Sequence, residues 1–212
     1  MRIGILGTGH LAEALGGCWA QTGHTVTVAG RSADNAAALA RRLGAAVHAA
    51  APDEAVRGAD VVLLAVPWSG VDDVLRESGA SRGALAGVVV IDPINAVQHG
   101  VGVLLTEPGK STATHIAETA PGSRVVKGFH MVPSTQWGVP GAAAITVPLC
   151  GDDPGALAVA ETLVRDAGAV PAVVGGLSRA RQLEEAAGLF ITLAFAGVDP
   201  GTVAPALPPV GA

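Results

Sequence analysis

The chain has 212 residues, a net charge of −5 at neutral pH and a hydrophobic content of 50%. This length suits one domain with its own core, and the excess of acidic side chains argues against a nucleic-acid partner. No apolar run reaches the length of about 18 residues that a membrane-spanning helix needs. The first residues run into glycines and lack the apolar core of a signal peptide. We therefore expect a cytoplasmic protein.

Strand and helix patterns alternate along most of the chain. Buried apolar runs predict strands at 2–7, 25–29, 46–48, 60–66, 87–91 and 124–127. Amphipathic stretches predict helices between them at 10–22, 33–43 and 69–78. This alternation predicts an α/β fold of the Rossmann type, with a doubly wound, mainly parallel sheet.

The residues from about 140 to 212 predict a small C-terminal β-α extension of the same domain. Strands are expected within 142–153 and 169–176, with a helix between them that Asp153 caps and Pro154 begins. A last long helix is predicted over 178–197, and a proline-rich apolar tail over 198–212 is expected to lie on a surface or a partner. We therefore predict a single NAD(P)-binding domain over 1–212.

A glycine-rich turn follows the first predicted strand. Gly7-Thr8-Gly9-His10-Leu11-Ala12 has the spacing Gly-x-Gly-x-x-Ala and stands between a strand and a helix. In a dinucleotide site the first glycine permits the tight turn, and the second lets the pyrophosphate approach the backbone. The N–H groups at the helix N-terminus then attract the phosphates. The turn predicts a dinucleotide cofactor.

The second predicted strand ends at Gly30-Arg31-Ser32. Sites that prefer NAD place an Asp or Glu there, which binds the ribose hydroxyls and repels a 2′-phosphate. Arg31 instead offers a bidentate contact to a phosphate, and the Ser32 hydroxyl and Thr8 add polar groups nearby. We therefore predict NADP(H) as the cofactor, against the alternative that Arg31 is a solvated surface residue.

The loops after the later strands are expected to complete the site, because ligands of such sheets bind at the carboxyl ends of the strands. We predict that the cofactor contacts Gly7, Thr8, Gly9, His10, Leu11, Arg31, Ser32, Ala65, Val66, Pro67, Ile94 and Asn95. We predict substrate contacts from Trp68, His130, Met131 and Trp137, with His130 also as the catalytic residue. Each tryptophan has the alternative role of covering the core. Asp92 is expected to be a structural carboxylate at a strand end.

Other chemistries find little support in the sequence. None of the six histidines has a partner at metal-ligand spacing, and no Cys-x-x-Cys is present, so we predict no metal site. The chain has no Gly-x-Ser-x-Gly elbow, which argues against a serine hydrolase. Cys18 and Cys150 are expected to be buried free thiols.

Several segments together resemble the coenzyme F420-dependent NADP oxidoreductases, and the related reductase domain of the STEAP metalloreductases. These are "RIGILGTGHLAEALG", "TVTVAGRS", "VVLLAVPW", "VVIDPIN", "RVVKGFHMVP", "LCGDD" and "ARQLEEAAGL", which cover nearly the whole chain through about residue 197. The resemblance implies a Rossmann domain across which NADP(H) lies, with a deazaflavin stacked on the nicotinamide for direct hydride transfer.

The resemblance also implies roles for particular residues. Thr8 and Arg31 match family contacts to the 2′-phosphate, and the loops 66–68 and 94–95 match those near the nicotinamide. The chain departs from the family in other places. Gly30 stands where the family has serine, Asn35 where it has lysine, and His130 where it has asparagine. The loop 94–123 carries only Lys110 as a certain cation for the acidic tail of F420.

The sequence thus predicts an oxidoreductase that transfers a hydride between NADP(H) and coenzyme F420 or a similar flat redox partner. One alternative is the NADPH-dependent reduction of a small imine or carbonyl with His130 as proton donor. Another is a non-catalytic NADP(H)-binding protein.

The last helix also predicts a homodimer. Its apolar residues Leu189, Phe190, Leu193 and Phe195 spread over more than one face, and Leu207 and Val210 of the tail could share the interface. The alternative is that this helix lies in the monomer's own core.

Overall fold

The computed structural model describes residues 1–98, 100–139 and 145–203. Its strands are β1 (Arg2–Leu6), β2 (Thr25–Ala29), β3 (Val47–Ala49), β4 (Val61–Leu64), β5 (Val89–Asp92), β6 (Arg124–Lys127), β7 (Thr146–Gly151) and β8 (Val170–Gly175). Its α-helices are α1 (His10–Gln21), α2 (Ala33–Leu43), α3 (Pro52–Val56), α4 (Val71–Glu77), α5 (Thr112–Thr119), α6 (Pro154–Asp166) and α7 (Ala180–Phe195). The predicted Leu207 and Val210 contacts lie outside the described residues.

All eight strands form one sheet in the order β3-β2-β1-β4-β5-β6-β7-β8. The strands from β3 across to β6 are parallel, β7 is antiparallel to β6, and β8 is parallel to β7. The predicted α/β class with a mainly parallel, doubly wound sheet is confirmed. Strand order reverses between β1 and β4, so the crevice at their carboxyl ends is where such a sheet binds a ligand.

The sheet separates two apolar layers. One layer packs α1, α2 and α6 around the fully buried Trp19, whose indole N–H donates to the Leu163 carbonyl oxygen at 2.9 Å. In the other layer α3, α4 and α5 pack on the opposite face of the sheet, and Leu64, Leu75 and Ile116 are buried where these helices meet the strands. Both faces of the central strands are therefore covered, which explains their continuous apolar runs.

The structure differs from the sequence analysis in two short helices and in several predicted boundaries. Neither α3 nor α5 was predicted. The helix predicted at 69–78 is α4, which starts at Val71 after a 3₁₀ turn at Trp68–Gly70, and the strand predicted at 60–66 spans only Val61–Leu64. The last helix starts at Ala180 rather than 178, because Leu177–Arg179 form a 3₁₀ turn. Asp153 caps α6 as expected, accepting from the Ala156 N–H at 2.6 Å.

The two cysteines are both free but differ in environment. Cys150 is fully buried, and burial raises the pKa of its thiol to about 12. Cys18 is only partly buried, so the expectation of two buried thiols is wrong for this residue. It lies within α1 and packs against the apolar core beside Trp19.

No helix within the described residues is both long and apolar enough to cross a membrane.

Candidate functional site

A cavity of about 860 Å³ opens at the carboxyl ends of β1, β4, β5 and β6. Its wall comes from the turn after each of these strands, with Val97, Leu105 and Ile191 closing the side that faces α7. Eleven predicted site residues line it: Gly9, His10, Leu11, Ala65, Val66, Pro67, Trp68, Ile94, Asn95, His130 and Met131. The fold thus brings residues from four strand ends into one crevice.

The glycine turn has the geometry that phosphate binding needs. Gly7 has φ of 137°, and a Cβ there would lie 2.0 Å from the Ala65 carbonyl oxygen, so glycine is required at this position. A Cβ at Gly9 would meet nothing within 4 Å, so the backbone at Gly9 borders open space. The next residue begins α1 with its unpaired N–H groups, which makes this end of the cavity an anion site.

A smaller cavity of about 220 Å³ continues from the glycine turn toward β2. Gly7, Thr8 and Arg31 line it, together with Asp73 of α4. A Cβ at Gly30 would lie only 3.1 Å from Cγ2 of Thr8, so the glycine that replaces the family's serine leaves room for the threonine. The predicted arginine and threonine thus line one cavity that adjoins the glycine turn.

Ser32 is the one predicted residue near β2 that does not line this cavity. Its side-chain oxygen accepts from the Asn35 N–H at 3.2 Å and so caps α2. The hydroxyl proton of Ser32 is not used by this contact, but its oxygen is held at the helix end. Its predicted contact with a phosphate stays a prediction.

His130 lies at the inner end of the main cavity. It is 6% exposed, and neither ring nitrogen has a hydrogen-bond partner of acceptable geometry among the described residues. Burial and the positive charge of Lys127 hold the pKa of His130 well below its usual value, against a weaker opposing effect of the Leu183 backbone. The ring is therefore neutral near pH 7, with one N–H donor and one bare nitrogen acceptor.

Asn95 lies beside His130 and is also incompletely bonded. Its Nδ2 donates to the His130 carbonyl oxygen at 2.6 Å, whereas its buried Oδ1 has no partner. Buried polar atoms without partners are uncommon, because each costs about 1–3 kcal/mol of desolvation. Asn95 and His130 thus place three buried polar atoms without a hydrogen-bond partner of acceptable geometry in two residues that line the main cavity.

Phe129 holds the backbone from which His130 projects. Its φ of 64° is the one positive value at a non-glycine residue in the described chain. The ring packs against Trp19, with centroids 5.8 Å apart, and against Trp137, with centroids 5.4 Å apart. These contacts compensate for a conformation that L-residues disfavour. Trp137 is 6% exposed and does not line the cavity, so the structure places this predicted substrate contact in the core.

Beneath the site lies a cluster of buried charges that the sequence analysis did not identify. The Lys127 ammonium, at the end of β6, lies 3.1 Å from Asp92 Oδ2 and 2.9 Å from Glu184 Oε1 of α7. All three side chains are 0% exposed. Because the ammonium contacts two carboxylates and also donates to Thr112 Oγ1 at 2.8 Å, it is well compensated despite its burial.

This cluster holds the loop after β5, which borders the main cavity. Asp92 Oδ1 accepts from the Ile94 N–H at 2.8 Å, and Lys127 donates to the Ile94 carbonyl oxygen. Glu184 accepts from the Thr112 N–H at the start of α5, at 2.9 and 3.1 Å. The predicted structural role of Asp92 agrees with these bonds, and a charged residue within each of two apolar segments was the signal that could have revealed its partners.

The comparisons with known proteins agree with this geometry. Residues 2–96, which span β1 to the Asn95 turn, match the family model described as NADP oxidoreductase, coenzyme F420-dependent. A crystal structure from Arthrobacter sp. FB24, provisionally named an F420-dependent NADP reductase, has a TM-score of 0.80 and 28% identity. The alignment covers 94% of this chain and 96% of that one. The resemblance found in the sequence is confirmed.

Two further relatives are more distant. The metalloreductase STEAP3 of Rattus norvegicus is 27% identical over 190 residues, which are 86% of this chain but 36% of the relative's own length. A reductive aminase from Aspergillus terreus, in complex with NADPH and ethyl levulinate, has a TM-score of 0.69 and 22% identity. That match covers 92% of this chain and 62% of the aminase. The chain is thus related to NADP-dependent oxidoreductases and reductases.

Proposed function

We propose that this protein is a cytoplasmic oxidoreductase that transfers a hydride between NADP(H) and a flat redox partner such as the deazaflavin of coenzyme F420. One observation carries the proposal. A single crevice joins the glycine turn, the Arg31 end and a largely apolar cavity that ends at His130. A dinucleotide laid along this crevice would have its phosphates at the turn and its nicotinamide beside the apolar walls.

The described residues fit NADP(H) at three points. The open space beside the Gly9 backbone suits the pyrophosphate. The cavity with Arg31 and Thr8 suits an adenosine 2′-phosphate. The unpartnered Asn95 Oδ1 and the His130 ring suit the amide of the nicotinamide, which needs an acceptor for its NH₂ and a donor for its carbonyl.

The cofactor supplies the hydride, and the protein's own residues bind, orient and exclude water. Ile94 is held by the buried Asp92 and Lys127, and Asn95 by the His130 carbonyl oxygen, so this wall of the cavity is fixed. Trp68 and Val66 line the β4 side of the cavity and would cover a bound ring there. Two flat partners held between such walls would react faster than free molecules, because their alignment is fixed before the hydride moves.

The experiment is an acceptor screen that follows NADPH absorbance. Coenzyme F420, flavins, ferric chelates and cyclic imines are tested side by side, with Gly9→Val as the control that lacks the cofactor. Oxidation with F420 or another flat ring, and none with Gly9→Val, supports the proposal. Binding of NADPH without oxidation by any of these acceptors contradicts it and favours a non-catalytic NADP(H)-binding protein.

A second candidate is the reduction of a small imine or carbonyl. The observation that favours it is the buried His130 ring, which lines the cavity and whose nitrogens have no hydrogen-bond partner of acceptable geometry among the described residues. The neutral His130 ring would then donate a hydrogen bond to the substrate atom that gains negative charge, and that atom would take its proton from water. In the same screen, rapid oxidation with cyclic imines alone, lost in His130→Asn, identifies this function.

We also propose that the chain pairs with a second copy through α7. Leu189 is 52% exposed, and Val103 and Leu105 of the neighbouring loop are 59% and 55% exposed. Phe190 and Leu193 are only partly buried. An apolar surface of this extent is typical of an interface. Light scattering at micromolar concentration, compared with Leu189→Asp, tests the pairing, and a monomeric unmutated chain contradicts it.

A further inference from the structure

A side cavity of about 270 Å³ adjoins the nicotinamide end of the main cavity. Trp68 and Leu105 line both cavities, so a ring at the nicotinamide end would lie next to the side cavity. Trp68 packs edge-to-face on His115, with ring centroids 5.1 Å apart, which gives the side cavity an aromatic wall. A substituent on a flat acceptor would therefore pass Trp68 and enter it.

Leu105, which also lines both cavities, lies in a loop that backbone hydrogen bonds hold in place. The backbones of Ala96 and Leu105 are bonded at 2.7 Å, and those of Gln98 and Val103 at 2.8 Å. Gly188 of α7 packs so closely on this loop that a Cβ there would lie 2.3 Å from the carbonyl oxygen of residue 102. Trp68 and the loop that carries Leu105 are thus the two walls shared by the main cavity and the side cavity.

Acidic groups dominate the charged residues of the side cavity. Glu107 and Glu118 line it, and His115 contacts Asp72 Oδ1 at 2.6 Å. Lys110 is the single lysine or arginine of its described lining, and its ammonium is already paired with Glu118. Glu107 forms no ion pair among the described residues. Arg181 lies next to the cavity, but its guanidinium donates to the Glu107 and Lys110 carbonyl oxygens and is paired with Glu185. An anion that entered here would meet the unpaired Glu107 and, among the described lining residues, no free cation.

Away from the glycine turn, which the cofactor's pyrophosphate would occupy, the main cavity offers no cationic side chain to an anion either. Its described lining contains no Asp, Glu, Lys or Arg, and its two histidines are His10 and the neutral His130. The bound cofactor would bring its own phosphates to the same crevice. The whole path of an acceptor is therefore neutral or negative.

We propose that the side cavity is the subsite for the acceptor's substituent, and that it selects flat acceptors whose substituent is neutral or cationic. This proposal rests on the proposed function, and it names the substrate class of the same site. A ring that carries an acidic tail, as coenzyme F420 does, is disfavoured. The ring alone, or a ring with an ammonium group, is favoured by the unpaired Glu107.

The test is an equilibrium titration of the NADP⁺-loaded protein with two fluorescent probes. One is coenzyme F420, and the other is its tail-free ring, 8-hydroxy-5-deazariboflavin. We expect the tail-free ring to bind about tenfold more tightly at low salt, and the difference to shrink at high salt, because exposed charges are screened. Equal or tighter binding of F420, or failure of both rings to bind, overturns the proposal.

Two charge-reversal variants test whether the preference for the tail-free ring arises in the side cavity. Glu107→Lys places a cation in the side cavity and should reduce the preference for the tail-free ring about threefold to tenfold. Glu161→Lys makes the same change of net charge on α6, which lines none of the three cavities, and should leave the preference unchanged. An equal response of the two variants also overturns the proposal.

Because these titrations need no turnover, they separate this inference from the proposed function. Tight binding of the tail-free ring without NADPH oxidation would contradict hydride transfer and leave the subsite intact. NADPH oxidation with F420 that is as efficient as with the tail-free ring would support hydride transfer and contradict the subsite.

Discussion

The adenosine and nicotinamide ends of the crevice are built in different ways. At the adenosine end the predicted contacts come from two short segments, Gly7–Gly9 and Gly30–Arg31, and the Arg31 side chain is exposed. The nicotinamide end depends on Lys127 and Glu184, which are far apart in the chain and fully buried. The adenosine end can be predicted from local motifs, whereas the nicotinamide end forms only when several helices and strands pack together.

This difference has energetic consequences. Arg31 is exposed, so its removal affects a bound ligand more than the fold. Lys127 is surrounded by carboxylates and carbonyl oxygens without solvent, so its removal leaves buried charges unpaired. The following substitutions test the contrast, beginning with the largest expected effect.

Lys127→Met should destabilise the fold by about 3–5 kcal/mol, because it leaves Asp92 and Glu184 buried without a cation. The loss should shrink as the pH is lowered, since protonation removes the unpaired charge. Urea unfolding at several pH values measures both effects. Lys110→Met is the matched control, because its ammonium is partly exposed, and it should cost less than about 1 kcal/mol. Equal losses in the two variants would contradict the account of the buried cluster.

Gly9→Val should weaken NADPH binding by about 100-fold or more, while the fold remains intact. The φ of Gly9 is −84°, and a Cβ there meets no protein atom, so only the ligand's space is filled. Gly17→Val in the same helix is the control, since its Cβ would meet Leu43 at an ordinary 3.4 Å. Fluorescence titration with NADPH and circular dichroism provide the measurement. A folded Gly9→Val protein that still binds NADPH tightly would place the site elsewhere.

We expect the unmutated protein to bind NADPH at least about tenfold more tightly than NADH, which is the effect of one charged hydrogen-bonded contact. Arg31→Ala should remove most of this preference. Affinity for NADH should hardly change, because NADH carries no 2′-phosphate. Arg41→Ala, at the other end of α2, is the control. Calorimetric titration with both cofactors measures the ratio, and an unmutated protein that binds both equally would contradict the assignment.

His130 should produce the smallest effect, a dependence of stability on pH. Its pKa is lowered in the folded state, so the unfolded chain takes up a proton near pH 6.5 that the folded chain does not. Stability should therefore fall as the pH drops below about 6.5, by up to about 1.4 kcal/mol per pH unit for one proton. His130→Asn should reduce this slope, and the exposed control His48→Asn should not. An unchanged slope in His130→Asn would show that the ring titrates normally.

Much of the fold followed from patterns within short windows of the sequence. The buried apolar strands, the glycine turn and the Arg31 position each depend on residues that are close along the chain, so their physical meaning is visible without tertiary contacts. The strand ends also predicted most of the cavity wall, because a parallel sheet gathers its carboxyl ends along one edge.

Packing, by contrast, determined the nicotinamide end. Thr112 and Glu184 are 72 residues apart, and Asp92 and Lys127 are 35 apart, so no local period connects them. Trp137 lies in the core against Phe129 rather than at the cavity, and no sequence pattern marked the positive φ of Phe129. Such contacts arise because a buried charge or a strained residue is stable only beside partners that the folded sheet and helices bring to it.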